Sequence, residues 1–287
     1  MNIIKPFVIN HSNPFIVKDL VAKSLFDDGF FYAQTDSTLQ PHETYLNLIN
    51  SFTIRKANDA SRRPSHTSKL SNMTNVDMDY PAVGLHSEAS FSPSSPQLIS
   101  LYCFAIDPLL QTTGLTTLVD GQALWKSLSL DYRLIFQSTL IEYTLSISMP
   151  KPVKGKGIKP WYLDEIGVSN CSLDLEKQRI NFTFRTFAAN DSALNGLISF
   201  ANHLFIDLNT EPQIITRRLG SLTSSTQNNI LHNIQVNSIN HNLQYISWQP
   251  NQFIIIDNNR MMHGRTAYDM NLLRDIGIIQ IASSRFS

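Results

Sequence analysis

Apolar and polar residues alternate with a period near two over much of the chain, most clearly in its second half, and this predicts a fold made mainly of strands. Two helical patterns stand out near the start. Residues 16–28 bring Val17, Leu20, Val21 and Leu25 near one face, and Gly29 ends the segment. Phe30-Phe31-Tyr32-Ala33 then reads as a strand, and residues 43–54 as a second amphipathic helix. Further strands are expected at Leu98–Ala105, Thr116–Asp120, Leu140–Ser148 and Arg179–Phe187. In the last of these, Ile180, Phe182 and Phe184 alternate with Asn181, Thr183 and Arg185. A short helix is expected over Gly121–Leu128, with others around 193–206 and 222–239. The C-terminal part reads as strands at Leu243–Trp248, Gln252–Asp257, Met262–Ala267 and Ile276–Ala282. A mainly β chain with a few flanking helices fits a closed or double-layered antiparallel sheet. Among such folds the jelly roll keeps a site between its two sheets.

Two segments break the pattern. From Lys56 to Pro81 the chain is rich in Ser, Asn, Arg and Asp, and such a long irregular stretch in a compact domain is often a binding segment. Residues 150–161 carry Lys151, Lys154, Lys156 and Lys159 among prolines and glycines, which forbids a regular element. Segments 56–81 and 150–165 are therefore the candidate substrate loops of one domain spanning 1–287. Composition narrows the picture further. Lys plus Arg and Asp plus Glu both number 23, so no basic field exists to attract nucleic acid or anionic lipid. Only 16% of residues are charged, and a surface built from Asn, Ser, Thr and Gln is expected to self-associate as a homo-oligomer. Two cysteines make no disulfide framework and suit a reducing cytoplasm. No apolar run is long enough to suggest a membrane span, and the N-terminus shows no signal-peptide pattern.

The candidate chemistry lies in His86-Ser87-Glu88 and, far downstream, His263. Residues i and i+2 of a strand point to one face, so His86 and Glu88 can reach one ion. Two imidazoles and one carboxylate are the set that holds non-haem Fe(II) on one face and leaves the opposite face open. Arg274 follows His263 by eleven residues, and Arg265 and Arg285 lie in the same strand-rich end. An arginine in a core strand needs a partner, and a bound organic acid would supply one through the bidentate fork. The plainer readings are a surface His–Glu pair, a turn histidine, and ordinary Arg–Asp pairs with Asp257, Asp269 or Asp275.

Three runs carry a resemblance: Gly84-Leu85-His86-Ser87-Glu88-Ala89-Ser90-Phe91, Thr113-Gly114-Leu115-Thr116-Thr117-Leu118-Val119-Asp120, and the stretch from Trp248 to Tyr268. In order and spacing they resemble the taurine dioxygenase-like (TauD/TfdA) family of Fe(II)- and 2-oxoglutarate-dependent oxygenases, in the clavaminate synthase-like superfamily, over about residues 80–285. The resemblance implies a double-stranded β-helix, a cupin-like jelly roll. It implies Fe(II) on His86, Glu88 and His263, with 2-oxoglutarate as co-substrate and O2 as oxidant. Thr116 and Arg274 fall where the family holds the far carboxylate of the keto acid. The sequence departs from the family at Thr113-Gly114-Leu115, where an acid usually precedes the threonine, and at Asn251, where glycine is usual. The family more often has Asp where Glu88 stands; Glu in that place resembles the clavaminate synthase branch and several amino-acid oxygenases. Because a carboxylate is retained there, halogenation is disfavoured. The implied reaction hydroxylates or desaturates a small substrate and releases succinate and carbon dioxide. An amino acid or a derivative of one in specialised metabolism is the expected substrate. Its candidate contacts are Asn72 and Trp161, with Arg62, Arg63, Asn75 and Tyr162 nearby in the two loops, and Arg185 on the polar side of its strand, where an exposed cross-strand arginine is the plainer reading. The rival readings are a non-catalytic jelly roll that binds a small acid, and a metal enzyme of other chemistry on the same fold.

Overall fold

Side-chain alternation decides which residues face inward. Ile99, Leu101 and Cys103 on the strand Leu98–Ile106 turn the same way as Ile276 and Ile278 on Arg274–Ala282. With Leu118, Trp248, Ile254, Ile256 and Met261 they form one apolar cluster. These residues come from two sheets, and the cluster fills the space between them. The computed structural model describes residues 1–9, 14–36, 40–52, 55–56, 73–76, 81–92, 95–148, 171–192, 194–208 and 214–282.

The larger sheet runs Phe7–Ile9, Phe30–Thr35, Gln252–Asp257, Leu98–Ile106, Arg274–Ala282, Arg55–Lys56, and Thr74–Asn75 also pairs with its C-terminal strand. The smaller runs Asn2–Ile3, Gln244–Ile246, Thr116–Asp120, Met261–Arg265, Val83–His86. Nearly all pairings are antiparallel and most connect strands distant in sequence, as the jelly roll requires. On the outside of the larger sheet lie the helices Pro14–Asp28 and Pro41–Phe52. Their buried residues Val17, Val21, Leu25, Tyr45, Leu48 and Ile49 pack with Phe253, Ile279 and Ile281. A further sheet, Cys171–Asp174, Arg179–Phe187, Leu140–Ser148 and Ile214–Leu219, presents Ile141, Tyr143, Leu145, Ile180 and Phe182 to a third cluster. That cluster also takes in Leu85, Val119 and Met262 from the back of the smaller sheet.

Several sequence expectations need correction. Leu20 is 38% exposed: it lies about 60° around the helix from Val17, on the side away from Val21 and Leu25. No helix forms over 194–206. Gly196 takes a left-handed φ of 67°, Ile198–Ser199 is a short strand, and the backbone bonds outward, Phe200 N–H to Gly121 and Asn202 C=O from Ser87. The helix Leu130–Ser138 was not expected from the sequence; Ser129 caps it by accepting from the Tyr132 amide. Part of the irregular segment 56–81 is strand, because Thr74 and Asn75 pair with Ile278 and Gly277. The lysine-rich segment 150–161 lies outside the described residues.

Candidate metal and co-substrate site

The pairing of Met261–Arg265 with Val83–His86 sets His263 directly opposite His86. The two rings stand 4.4 Å apart. Glycines flank both histidines where the strands cross closely: a Cβ on Gly264 would meet the Val83 carbonyl at 2.6 Å, and one on Gly84 would strike the Phe205 carbonyl. His86 Nδ1 lies 2.9 Å from the Gly84 carbonyl. The nitrogen facing a carbonyl must carry the proton, so Nε2 keeps its lone pair for a ligand. Burial holds the His86 pKa well below its usual value, with the neighbouring His263 and His203 adding to the effect. The ring is therefore neutral and able to coordinate at neutral pH.

Glu88 reaches the same point by a different route from the expected strand alternation. The strand ends at His86, and Glu88 sits in a turn in which Ala89 has φ 51°. Its Oε2 is 3.9 Å from His86 Nε2 and 3.7 Å from His263 Nε2. The three ligand atoms lie within 4.8 Å of one another, and all three residues are buried. Two imidazole nitrogens closed by one carboxylate suit a divalent first-row metal of the non-haem iron type.

Asn258 holds the turn in place. It is fully buried. Its Oδ1 accepts from the Glu88 amide at 2.6 Å, and its Nδ2 donates to the Glu88 carbonyl at 2.9 Å. The same Nδ2 reaches the Pro96 carbonyl and Ser95 Oγ, while Ser87 Oγ donates to the Asn258 carbonyl. Asn258→Ala removes this clamp from behind a metal ligand. We expect metal affinity to fall about 10–100-fold and stability to fall by about 2–3 kcal/mol as buried groups lose partners. Co(II) titration and urea unfolding measure the two. Wild-type metal affinity in the variant would mean that the turn orients Glu88 unaided.

The acid-binding end begins at Thr116, which pairs with Arg265 in the smaller sheet. Thr116 Oγ1 accepts from Trp248 Nε1 at 2.8 Å and from Arg274 Nη2 at 3.3 Å. With both lone pairs so used, its own O–H is left to donate to an anion. Arg274 Nε donates to the Gly114 carbonyl at 3.0 Å. Among the described residues no carboxylate pairs with Arg274. Burial lowers its pKa to about 10, with the charge of Arg265 next in effect. Arg265 lies over one ring, Tyr268, at 5.0 Å, and Arg274 over the same ring at 5.9 Å. Such a cation, in a pocket shared with Thr116 and the two histidines, is matched by a ligand carboxylate. Val76, Val83, Leu101 and Ile278 form the apolar walls.

The structure thus brings together His86, Glu88, His263, Thr116 and Arg274. It does not bring Arg185 to them. Arg185 lies on the outer face of the separate four-stranded sheet, exposed and paired with Glu142 at 2.6 Å across the strands. Asn72, Trp161, Tyr162, Arg62, Arg63 and Arg285 lie outside the described residues. Asn251 takes φ 67°, the left-handed turn that lets it stand in for glycine. Trp248, Asn258 and His203 were given no role from sequence. His203 packs edge-on to His86 with rings 4.9 Å apart, and its Nδ1 lies 3.2 Å from the Ser87 carbonyl. Burial brings its pKa down to about 4. The Trp-Gln-Pro-Asn turn was a usable signal for Trp248; nothing local marks His203.

The sequence matches, over residues 35–276, the family described as taurine catabolism dioxygenase TauD, TfdA. No curated protein matches it. Among solved structures, AAD-2 in complex with Mn(II) and N-oxalylglycine is similar with a TM-score of 0.64 at 14% identity, covering 99% of this chain and 97% of that one. A taurine dioxygenase from Burkholderia xenovorans is similar with a TM-score of 0.58 at 11% identity, covering 94% and 81%. At these identities the two likenesses establish the fold.

Proposed function

As a member of the TauD/TfdA family this chain is an Fe(II)- and 2-oxoglutarate-dependent dioxygenase, and we propose that it hydroxylates or desaturates an unactivated C–H bond of a small, amino-acid-derived substrate in specialised metabolism. His86, Glu88 and His263 would hold the iron, and Thr116 and Arg274 the far carboxylate of 2-oxoglutarate. One observation carries this reading. A buried two-imidazole, one-carboxylate cluster shares its pocket with an arginine that no carboxylate of the described residues neutralises and with a hydroxyl that accepts from two donors.

Iron and keto acid, once bound, supply oxygen activation coupled to decarboxylation of the keto acid to succinate and carbon dioxide. The chain's share is orientation and dryness. His86, fixed by the Gly84 carbonyl, offers Nε2 and no proton. Asn258 keeps the Glu88 turn rigid. Thr116 and Arg274 fix one end of an extended diacid, so that its other end points toward the cluster. Leu101, Ile278 and Val83 exclude water from the path between.

Two measurements test the reading. Mixing the protein anaerobically with Fe(II) and 2-oxoglutarate should produce a weak visible charge-transfer band. Screening amino acids and their derivatives for succinate release should then find at least one that raises turnover well above the uncoupled rate. Absence of the band removes the site assignment. A band with stimulation only by substrates unrelated to amino acids removes the substrate class alone.

A further inference from the structure

Gln280 is a buried residue whose side chain the fold does not use. It is 2% exposed, and among the described residues neither its Oε1 nor its Nε2 has a hydrogen-bond partner. Leaving both halves of an amide unpaired in an interior is costly. Other buried polar side chains near the pocket are well partnered, Thr116 by Trp248 and Arg274 and Asn258 by four groups, while single ring nitrogens of His263 (Nδ1) and His203 (Nε2) also lack a partner among the described residues.

Its position gives the cost a meaning. Gln280 shares strand parity with Ile276 and Ile278, which face the interior. Across the sheet it pairs with Ile99, and Ile278 pairs with Leu101. Leu101 and Ile278 line the pocket of the histidine cluster; Gln280 is not itself a lining residue and lies one strand repeat beyond Ile278 on the same face of the strand, roughly 6–7 Å on. The direction matters as well. Arg274 and Thr116 mark the end that takes the diacid. Moving from Arg274 to Ile278 to Gln280 leads away from that end, as does moving from Arg265 to His263 on the facing sheet. Next to Gln280, Ile281 pairs with Lys56, where the long irregular segment begins. Gln280 therefore lies beyond Ile278, on the side away from Arg274 and Thr116.

We propose that Gln280 is a substrate-recognition residue, and that the substrate presents to it an uncharged group with a donor and an acceptor on adjacent positions: a carboxamide, a lactam or a peptide unit. The proposal rests on the oxygenase reading above and narrows its substrate class. The chemistry follows from what an amide can pair with. A carboxylate would satisfy Nε2 and leave Oε1 bare; an ammonium would do the reverse. Either would also bring a charge against Ile99 and Ile278, which supply no counter-ion. A second amide satisfies both atoms at once and brings no charge.

The test uses the full chain with Fe(II) and 2-oxoglutarate and matched probe pairs: glutamine against glutamate, asparagine against aspartate, and glycinamide against glycine. Succinate release is the first readout. At least one amide should stimulate it, with its acid partner tenfold or more weaker, about the factor a lost hydrogen bond in a dry site produces. In Gln280→Leu that preference should shrink by about tenfold or more, while the anaerobic band with Fe(II) and 2-oxoglutarate is unchanged. Thermal unfolding of the ligand-free Gln280→Leu and Gln280→Met proteins is the second readout. Exchanging an unpaired amide for an apolar side chain should leave the melting temperature unchanged or raise it. Acids matching amides, no stimulation by any amide, or an unaltered preference in the leucine variant would each overturn the proposal. So would a marked loss of thermal stability in both variants, because the amide would then be holding an internal water for the fold. A wild-type protein that gives no band counts against the oxygenase site itself, and is told apart by that absence.

Discussion

His263→Ala is expected to lose iron binding and to release no succinate above background. His263 stands directly across from His86, 3.7 Å from the Glu88 carboxylate, so it supplies one of the three ligand atoms that the described residues bring together there. Loss of a residue behind a ligand costs about 10–100-fold in metal affinity, and loss of the ligand itself should cost well beyond that. His263 is buried, so truncation also opens space at the centre of the smaller sheet, and His263→Gln, closer in volume, serves as a second variant. Metal titration and far-UV circular dichroism separate lost ligation from lost structure. A folded variant that binds iron at wild-type stoichiometry would remove His263 from the site.

Arg274→Leu should raise the concentration of 2-oxoglutarate needed for half-maximal turnover while leaving iron binding nearly intact. The guanidinium bonds the Gly114 carbonyl and Thr116 Oγ1, and no carboxylate of the described residues neutralises it. A charge-assisted pair with the keto acid in this partly dry pocket is worth roughly 2–5 kcal/mol on truncation, equivalent to about 30-fold or more in affinity. Thr116→Val should act in the same direction with a smaller effect, about 1 kcal/mol, since one neutral donor is lost. It also strips Trp248 Nε1 of its acceptor, so part of that loss will show as stability. Unchanged keto-acid affinity in both variants would move suspicion to Arg265, which lines the same pocket.

What could be read in advance depended on how local its cause is. Arg179–Phe187 was legible because alternation is a property of adjacent residues, and Ile180 and Phe182 are buried as that pattern requires. The metal cluster was legible because its residue types are chemically restrictive, even though the turn at Glu88 and not strand geometry closes it. Residues 194–206 misled because Leu194, Leu197, Ile198 and Leu204 mimic a helical face. What decides that stretch is where its backbone finds partners, at Gly121 and Ser87. Asn258 and Trp248 could not be assigned because their work is done across 170 and 132 residues of sequence. For Arg185 the sequence left a substrate contact and an exposed cross-strand arginine both open, and the pair with Glu142 on the adjoining strand is the second of these; nothing in a single strand shows which sheet it joins.

The Asn258 clamp has a bearing on how the enzyme is made. His86 and Glu88 leave the ribosome early, whereas the amide that steadies Glu88 and the imidazole that completes the cluster come from the last strands. Contacts so far apart in sequence form late. A nascent chain ending near residue 240 would carry His86 at the end of a strand and Glu88 in the turn after it, while that strand's pairing partner, Met261–Arg265, has not yet been synthesised. Iron acquisition is thereby deferred to the finished chain, and the metal, binding only the completed arrangement, stabilises the packed sheets after release.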